Sequence, residues 1–434
     1  MNVRAIGYCV ILLLLALPIH NKVAAAPVVL TNGTIIDTSY DQPVFRASIV
    51  IEDQRIVFVG DLDQYELAED SKLVDVAGKF VIPGLIDTHN HLYFGDSQSP
   101  WQPDAVLEFL PKWGVTSVFD TTISIESFRN LKKTQSESIR ARFFAVGRSF
   151  GAKDGWGGTL TNGYTPETEE EARDAVRELA SENVDGIKLV YDDMTVFGQG
   201  PWPMLEPSVM AAIIDEAHNQ SLKAYVHAPI LENAKVALRA GADVLIHGII
   251  SDEIDDEFLR LMSENGAYYA PTHILYEQGA NQPAMSTRYE ALDHRQLIDR
   301  SIYRSLWEGR RQNGSTGPNL PVLRENLRRI TKAGIPVAMG SDTGVPGVLA
   351  GIASQMELVL YVESAMTPLE ALESATKTAS MTIDRDEDIG SLEPGKYADL
   401  VILDADPLID IRNVSRIWAV MIGGRFAFAP QPLR

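Results

Sequence analysis

His89 and His91 stand one residue apart at the end of the apolar run Val81-Ile82-Pro83-Gly84-Leu85-Ile86-Asp87-Thr88. Side chains at i and i+2 of a strand leave the same face, so two neutral imidazoles placed there can grip one metal ion. Three more residues sit at the ends of later apolar runs: His227 in Ala224-Tyr225-Val226-His227, His247 in Val244-Leu245-Ile246-His247, and Asp342 in Met339-Gly340-Ser341-Asp342. Half of the eight histidines therefore occupy equivalent positions. A lone histidine on an apolar run is more often a satisfied core residue than a ligand. Four of them with an aspartate at matching ends point to metal-dependent hydrolysis, in which a bound water loses its proton near pH 7 rather than near 16.

Such residues need a scaffold that brings many strand ends together. Between about 81 and 384 strand-like runs alternate with helical patterns, which indicates parallel β/α units. Eight strand candidates can be counted, at 81–87, 115–120, 142–147, 186–191, 223–227, 243–247, 267–272 and 336–341. Helical stretches at 168–181 and 207–218 lie between them. That count predicts an α/β fold, a (β/α)8 TIM-like barrel, whose active site lies at the carboxyl ends of the strands. The segment 280–320 is longer than a barrel helix needs and is expected to add a helix near the site. Residues 27–80 and 385–434 read as short strands with tight turns, Asn32-Gly33 being a hairpin signal. Neither terminal block can form a core alone, so one small β-sandwich domain assembled from both termini is expected.

Composition narrows the class. The 434 residues, 45% hydrophobic and 22% charged, suit an ordinary globular enzyme. A net charge of −21 argues against nucleic acid and anionic membrane surfaces as partners, and leaves a small-molecule substrate. Residues 1–26 have the form of a signal peptide: Arg4, an apolar stretch from Ile6 to Pro18, and Val23-Ala24-Ala25, which places small residues at the −3 and −1 positions of a cleavage site. The expected product is secreted or periplasmic, cleaved near Ala25/Ala26, with no stable membrane insertion afterwards and homo-oligomerisation left open. Cys9, the single cysteine, falls inside this leader. Disulfides and thiolate ligands are thereby excluded, and any metal must be held by nitrogen and oxygen. Asn32, Asn219, Asn313 and Asn413 begin Asn-x-Ser/Thr sequences that matter only in a glycosylating secretory pathway.

The run 81–91 and Leu392-Glu393-Pro394-Gly395-Lys396-Tyr397-Ala398-Asp399-Leu400-Val401, with the distribution of histidines and Asp342, resemble the amidohydrolase superfamily over essentially the whole mature chain. The resemblance implies that Lys188, in Asp185-Gly186-Ile187-Lys188-Leu189-Val190-Tyr191, is a carboxylated lysine of the binuclear subtype. A neutral amine can take up carbon dioxide, and the two carbamate oxygens can bridge two cations, which an ammonium cannot. The alternative is a lysine packed along the strand with its head paired to Asp192 or Asp193. By resemblance His89, His91, Lys188 and Asp342 would hold one divalent ion, zinc first among the ions such ligands accept, and Lys188, His227 and His247 the other. A hydroxide shared by the two metals would attack the substrate, with Asp342 as general base and then acid. The implied substrates are amides, a dipeptide or an N-acyl amino acid, as in the Xaa-Pro or Xaa-Arg dipeptidase-like and ochratoxin-hydrolysing groups, or else a lactone or ester.

The rivals are a mononuclear deaminase or imidazolonepropionase-like cyclic-amide hydrolase, and a non-catalytic binding protein on the same barrel. The first is weakened because such enzymes carry a glutamate or glutamine shortly after that histidine, and Ala228-Pro229-Ile230-Leu231-Glu232 after His227 does not fit that spacing. The complete ligand set argues against the second. Tyr191, Trp156 and His273 are the candidate substrate contacts; the alternatives are packing for Tyr191 and a strand cap for His273. Asp87 and Asp120 are expected to orient ligand histidines or loops. Arg324, Arg328 and Arg329 read as a solvated helix face.

Overall fold

The computed structural model describes residues 26–92, 102–280, 282–299, 319–345 and 347–430. The leader, all but its last residue, lies outside them with Cys9, as do Asn313 and much of segment 280–320. Strands β1–β5 cover Val28–Ile36, Val44–Glu52, Arg55–Gly60, Lys72–Asp75 and Phe80–Pro83. Strands β6–β8 cover Leu85–Asn90, Val115–Asp120 and Arg142–Ala145, and β9–β12 cover Ile187–Val190, Ala224–His227, Val244–Ile246 and Tyr268–Ala270. Near the end come β13–β15, at Leu400–Leu403, Ile417–Ile422 and Arg425–Phe428.

Strands from both ends of the chain enter one eight-stranded sheet, in the order β15-β14-β13-β5-β1-β2-β3 with β4 paired to β1. Its apolar face includes Leu30, Ile35, Ile49, Val81, Leu400 and Met421. The Asn32-Gly33 pair is not a hairpin turn: β1 runs through it as a bulge, with Asn32 at φ 64° and the register against β2 shifting between Leu30 and Gly33. Asparagine tolerates the left-handed backbone, and its Nδ2 donates to Asp75 Oδ1 of β4 at 3.0 Å. The tight turn is instead Asp53-Gln54, at φ 43° and 76°, joining β2 to β3.

The run 81–87 serves two sheets rather than one. Residues up to Pro83 pair with β1 and β13, whereas Leu85–Asn90 runs parallel to β7. The switch falls where proline offers no N–H and where a Cβ on Gly84 would lie 2.1 Å from Thr116 Oγ1. Only glycine lets the backbone pass Thr116 there.

The middle region holds a parallel sheet β6-β7-β8 and a second parallel sheet β9-β10-β11-β12. Single bridges extend the pairing: Phe150↔Leu189 between the sheets, Tyr269↔Val337 from β12 to segment 336–343, and Asn90↔Thr343 from that segment to β6. The eighth strand candidate is thus in its expected place without forming a regular strand. It is held by Ala338 N–H donating to Tyr269 O (2.9 Å) and Thr88 N–H to Met339 O (3.0 Å). Gly340 crosses so close to β6 that a Cβ there would meet His89 Cβ at 2.8 Å.

Ile86, Phe119, Val146, Tyr225, Ile246 and Ala338, on or beside the strands of both parallel sheets, share one apolar cluster. Burying such side chains contributes roughly 1.5–3 kcal/mol each. Helices flank the strands as their caps dictate. Thr168 Oγ1 accepts from Glu171 N–H to start Glu169–Ala180, which buries Ala172, Val176 and Leu179; Pro207 opens Pro207–Asn219. The long segment after 280 supplies the helix Gln282–Leu292, tied to Ile352–Ser364 by Arg288 and Glu363 at 2.7 Å. Among the described residues no helix is long and apolar enough to cross a membrane.

Candidate metal centre

Backbone hydrogen bonds bring the candidate ligands together. Asp342 N–H donates to His89 O at 2.8 Å and His91 N–H to Thr343 O at 2.7 Å, pressing segment 341–343 against the end of β6. Asp342 Oδ1 then lies 3.3 Å from His89 Nε2 and 3.0 Å from His91 Nε2. His247 follows β11 with its N–H on Ala270 O at 2.9 Å, and its ring centroid is 4.8 Å from that of His89 and 4.4 Å from that of His227. One ligand atom each of His89, His247 and Asp342 fall within 4.8 Å of one another. His247, Thr272 and Asp342 all adopt left-handed backbone, at φ 73°, 47° and 60°. That conformation is costly for these residue types and turns side chains that strand geometry alone would not converge.

Two rings are aimed by partners the sequence does not advertise. His227 Nε2 donates to Asp192 Oδ2 at 2.9 Å, and His247 Nδ1 is 2.8 Å from Thr272 Oγ1. Each imidazole keeps its other nitrogen as a donor toward a cation, a common way of fixing the tautomer of a metal-binding histidine. Buried His89 Nδ1 and Asp342 Oδ1 have no hydrogen-bond partner among the described residues. A buried carboxylate oxygen facing two imidazole nitrogens, with a third imidazole close by, is a donor set that suits a divalent ion.

Lys188 lies on β9 and is 3% exposed. Gly186, two residues earlier, leaves room for the Tyr225 ring, which a Cβ would meet at 2.5 Å. Burial lowers the Lys188 amine to about 7, partly opposed by Asp342. Asp192 and Asp193 are engaged elsewhere, the first by His227 and Met194 N–H, the second by Thr195 N–H and hydroxyl. Neither pairs with the lysine. Burial first, then the charge on Lys188, holds His89 well below the ordinary imidazole range; burial, His227 and Lys188 do the same to His247.

Asp87 and Asp120 bond to backbone and hydroxyl groups rather than to imidazoles. Asp87 accepts from Ser341 N–H and Oγ, Ser354 Oγ and His89 N–H, joining β6 to segment 336–343. Asp120 accepts from Leu92 and Thr122 N–H groups. Tyr191 follows β9, its N–H on His227 O at 2.9 Å, and burial together with Glu206 raises its phenol. Trp156 stacks on Trp202 at 5.8 Å. His273 opens the helix His273–Ala280, is 1% exposed, and packs edge-on against Tyr361 at 5.6 Å. Arg324 departs from the solvated face expected of it: its Nε is 3.0 Å from the buried Glu277, while Arg328 pairs with Glu325 on its own helix.

Burial lowers His273 to about 3, so it stays neutral in the fold and takes up a proton near 6.5 once unfolded. Its contribution is complete above pH 6.5 and is lost as pH falls from there toward 3, by about 1.4 kcal/mol per pH unit. His273→Leu is expected to reduce the pH dependence of unfolding free energy between pH 6 and 4.5 by that amount, read from urea titrations of the metal-free protein. An unchanged slope would contradict the buried neutral imidazole.

Residues 80–427 match the amidohydrolase family. An imidazolonepropionase of Geobacillus sp. (strain WCH70) is 26% identical over 388 residues, 83% of this chain and 84% of that protein. Among solved structures, a candidate prolidase from Bifidobacterium longum superposes with TM-score 0.74 at 26% identity, covering 95% of this chain and 97% of that one. A Xaa-Pro dipeptidase with methionine bound in its active site gives TM-score 0.71 at 24% identity, over 93% and 100% of the two chains. These likenesses give a TIM-barrel-like α/β fold carrying a β-rich domain.

Proposed function

The chain belongs to the amidohydrolase family and is a hydrolase of carbon–nitrogen bonds; from that premise we propose that it cleaves the amide of a dipeptide or an N-acyl amino acid at a two-metal centre. The observation that carries the proposal is Lys188, buried on β9 beside the strand that ends in His227, with Asp192 and Asp193 engaged elsewhere. Burial lowers the amine toward neutral pH, which favours the uncharged form that can add carbon dioxide. Addition of carbon dioxide would release a proton and give a carbamate whose single negative charge is shared by two oxygens; His89, His91 and Asp342 would hold one ion, and His227 and His247 the other. Nitrogen and oxygen donors of this kind suit zinc.

Ions held there would supply acidified water and positive charge for the attacked carbonyl oxygen. The chain supplies proton transfer and alignment. Asp342 accepts the proton of the attacking water and returns it to the leaving nitrogen, so that an amine departs. Asp192 and Thr272 hold the rings of His227 and His247 in place throughout.

A second possibility, cyclic-amide hydrolysis at a single metal, is favoured by the sequence likeness to imidazolonepropionase. It leaves Lys188 without a task. A hydrolysis screen of dipeptides, N-acyl amino acids and cyclic amides with the metal-loaded protein separates the two. Turnover of acyclic amides is expected; turnover confined to cyclic amides would overturn the proposal.

A further inference from the structure

On the side of His227 and His247 the centre is walled by aromatic carbon. Phe197 ends the short turn Thr195–Phe197, framed by left-handed residues Met194 (φ 63°) and Gly198 (φ 70°). Asp192 fixes this turn: one oxygen accepts from Met194 N–H at 3.1 Å, while the other accepts from His227 Nε2 at 2.9 Å. The group that aims a candidate ligand therefore also places Phe197, whose ring is 6.3 Å from that of His227. Tyr276 lies nearly parallel to Phe197, with planes 4° apart and centroids at 6.2 Å, and stands 6.4 Å from the His247 ring. Its hydroxyl donates to Gly248 O at 3.3 Å, which satisfies the polar end and leaves the buried ring as apolar support for Phe197.

Ile250 and Leu323 complete a buried cluster with Tyr276, and Val196, Phe197, Leu275 and Leu320 pack against it. These residues come from the connections after β9, β11 and β12 and from the helix Leu320–Lys332, and the cluster is separate from the main core. Tyr276 is buried, whereas Phe197, with its ring 6.3 Å from that of His227, is only partly so. A charged or hydrogen-bonding substrate group placed there would lose water against rings that offer no partner. A large apolar group would gain transfer free energy and ring contacts instead.

We infer that the substrate presents an aromatic or large aliphatic side chain, next to its scissile amide, to Phe197, which the buried Tyr276 ring backs. This rests on the amide-hydrolase proposal for the reaction but not for the binding preference, so the two can fail separately. The test is calorimetric binding of phenylalanine hydroxamate and glycine hydroxamate to the metal-loaded full chain, alongside hydrolysis of Phe-Gly, Gly-Phe and Gly-Gly. The phenylalanine hydroxamate is expected to bind at least about tenfold tighter, and one phenylalanine dipeptide to exceed Gly-Gly in kcat/KM by a similar factor. In Phe197→Ala that binding ratio should fall below about threefold with metal content unchanged, and Phe197→Leu should retain part of it. Equal binding of the two hydroxamates, or a preference that survives Phe197→Ala, would overturn the inference. Hydroxamate preference without hydrolysis of any dipeptide would support the apolar wall and count against the dipeptide reaction.

Discussion

Asp342→Asn leaves a folded protein whose turnover falls by about a thousandfold or more. The substitution keeps shape, and asparagine is among the few residues that accept the left-handed backbone at this position (φ 60°). The bond from its N–H to His89 O involves main chain only and survives. What disappears is a carboxylate able to take a proton from water and hand it to a leaving nitrogen, a role worth typically 10²–10⁴ in rate. Circular dichroism should show a native protein, and steady-state hydrolysis at saturating metal, which offsets the weaker amide ligand, should still show the loss. Turnover within about tenfold of the wild type would remove Asp342 from proton transfer.

Lys188→Ala has the second large effect and reaches further, because it removes the group proposed to face both cations. Metal content is expected to fall by at least one equivalent per chain and activity by a factor of about 10³ or more. Alanine leaves a cavity beside Tyr225 and the histidines, large enough to admit a short carboxylate in place of the carbamate. Acetate or propionate should therefore restore part of both metal content and activity. Full metal content in the variant would show that the lysine is a packed stem with no part in binding. Rescue by chloride as well as by carboxylates would show that it acts only through its charge.

Much of the centre is legible in the amino-acid sequence because strand geometry is periodic. An apolar run ending in histidine places that histidine at a strand end, and parallel β/α units bring such ends to one face. His89, His91, His227 and His247 follow from that rule alone. Asp342 follows it only in part, since its segment makes isolated bridges rather than a regular strand, and its direction depends on a left-handed backbone that no residue pattern announces. Asp192 and Thr272 escape notice because aspartate and threonine beside a strand end are ordinary loop residues until the ring they orient is seen. Phe197 and Tyr276 are hidden for a related reason: both read as packing residues, and only the fold brings their connections together.

The same contrast runs through the scaffold. Asn32-Gly33 has the composition of a hairpin turn but lies inside β1, because pairing with β2 and β4 on either side outweighs local turn preference. Asp53-Gln54 makes the turn with a weaker local signal. Gly84 divides a continuous apolar run between two sheets for a steric reason, the approach of Thr116, that depends on a residue more than thirty positions away.

The number of metal ions bound per chain tests the two-metal centre most directly. Protein loaded with zinc in the presence of bicarbonate, freed of unbound ion and analysed by mass spectrometry of its elements, is expected to hold two equivalents, with activity saturating only at the second. One equivalent with full activity would contradict the bridging role of Lys188 and return the site to a single-metal hydrolase.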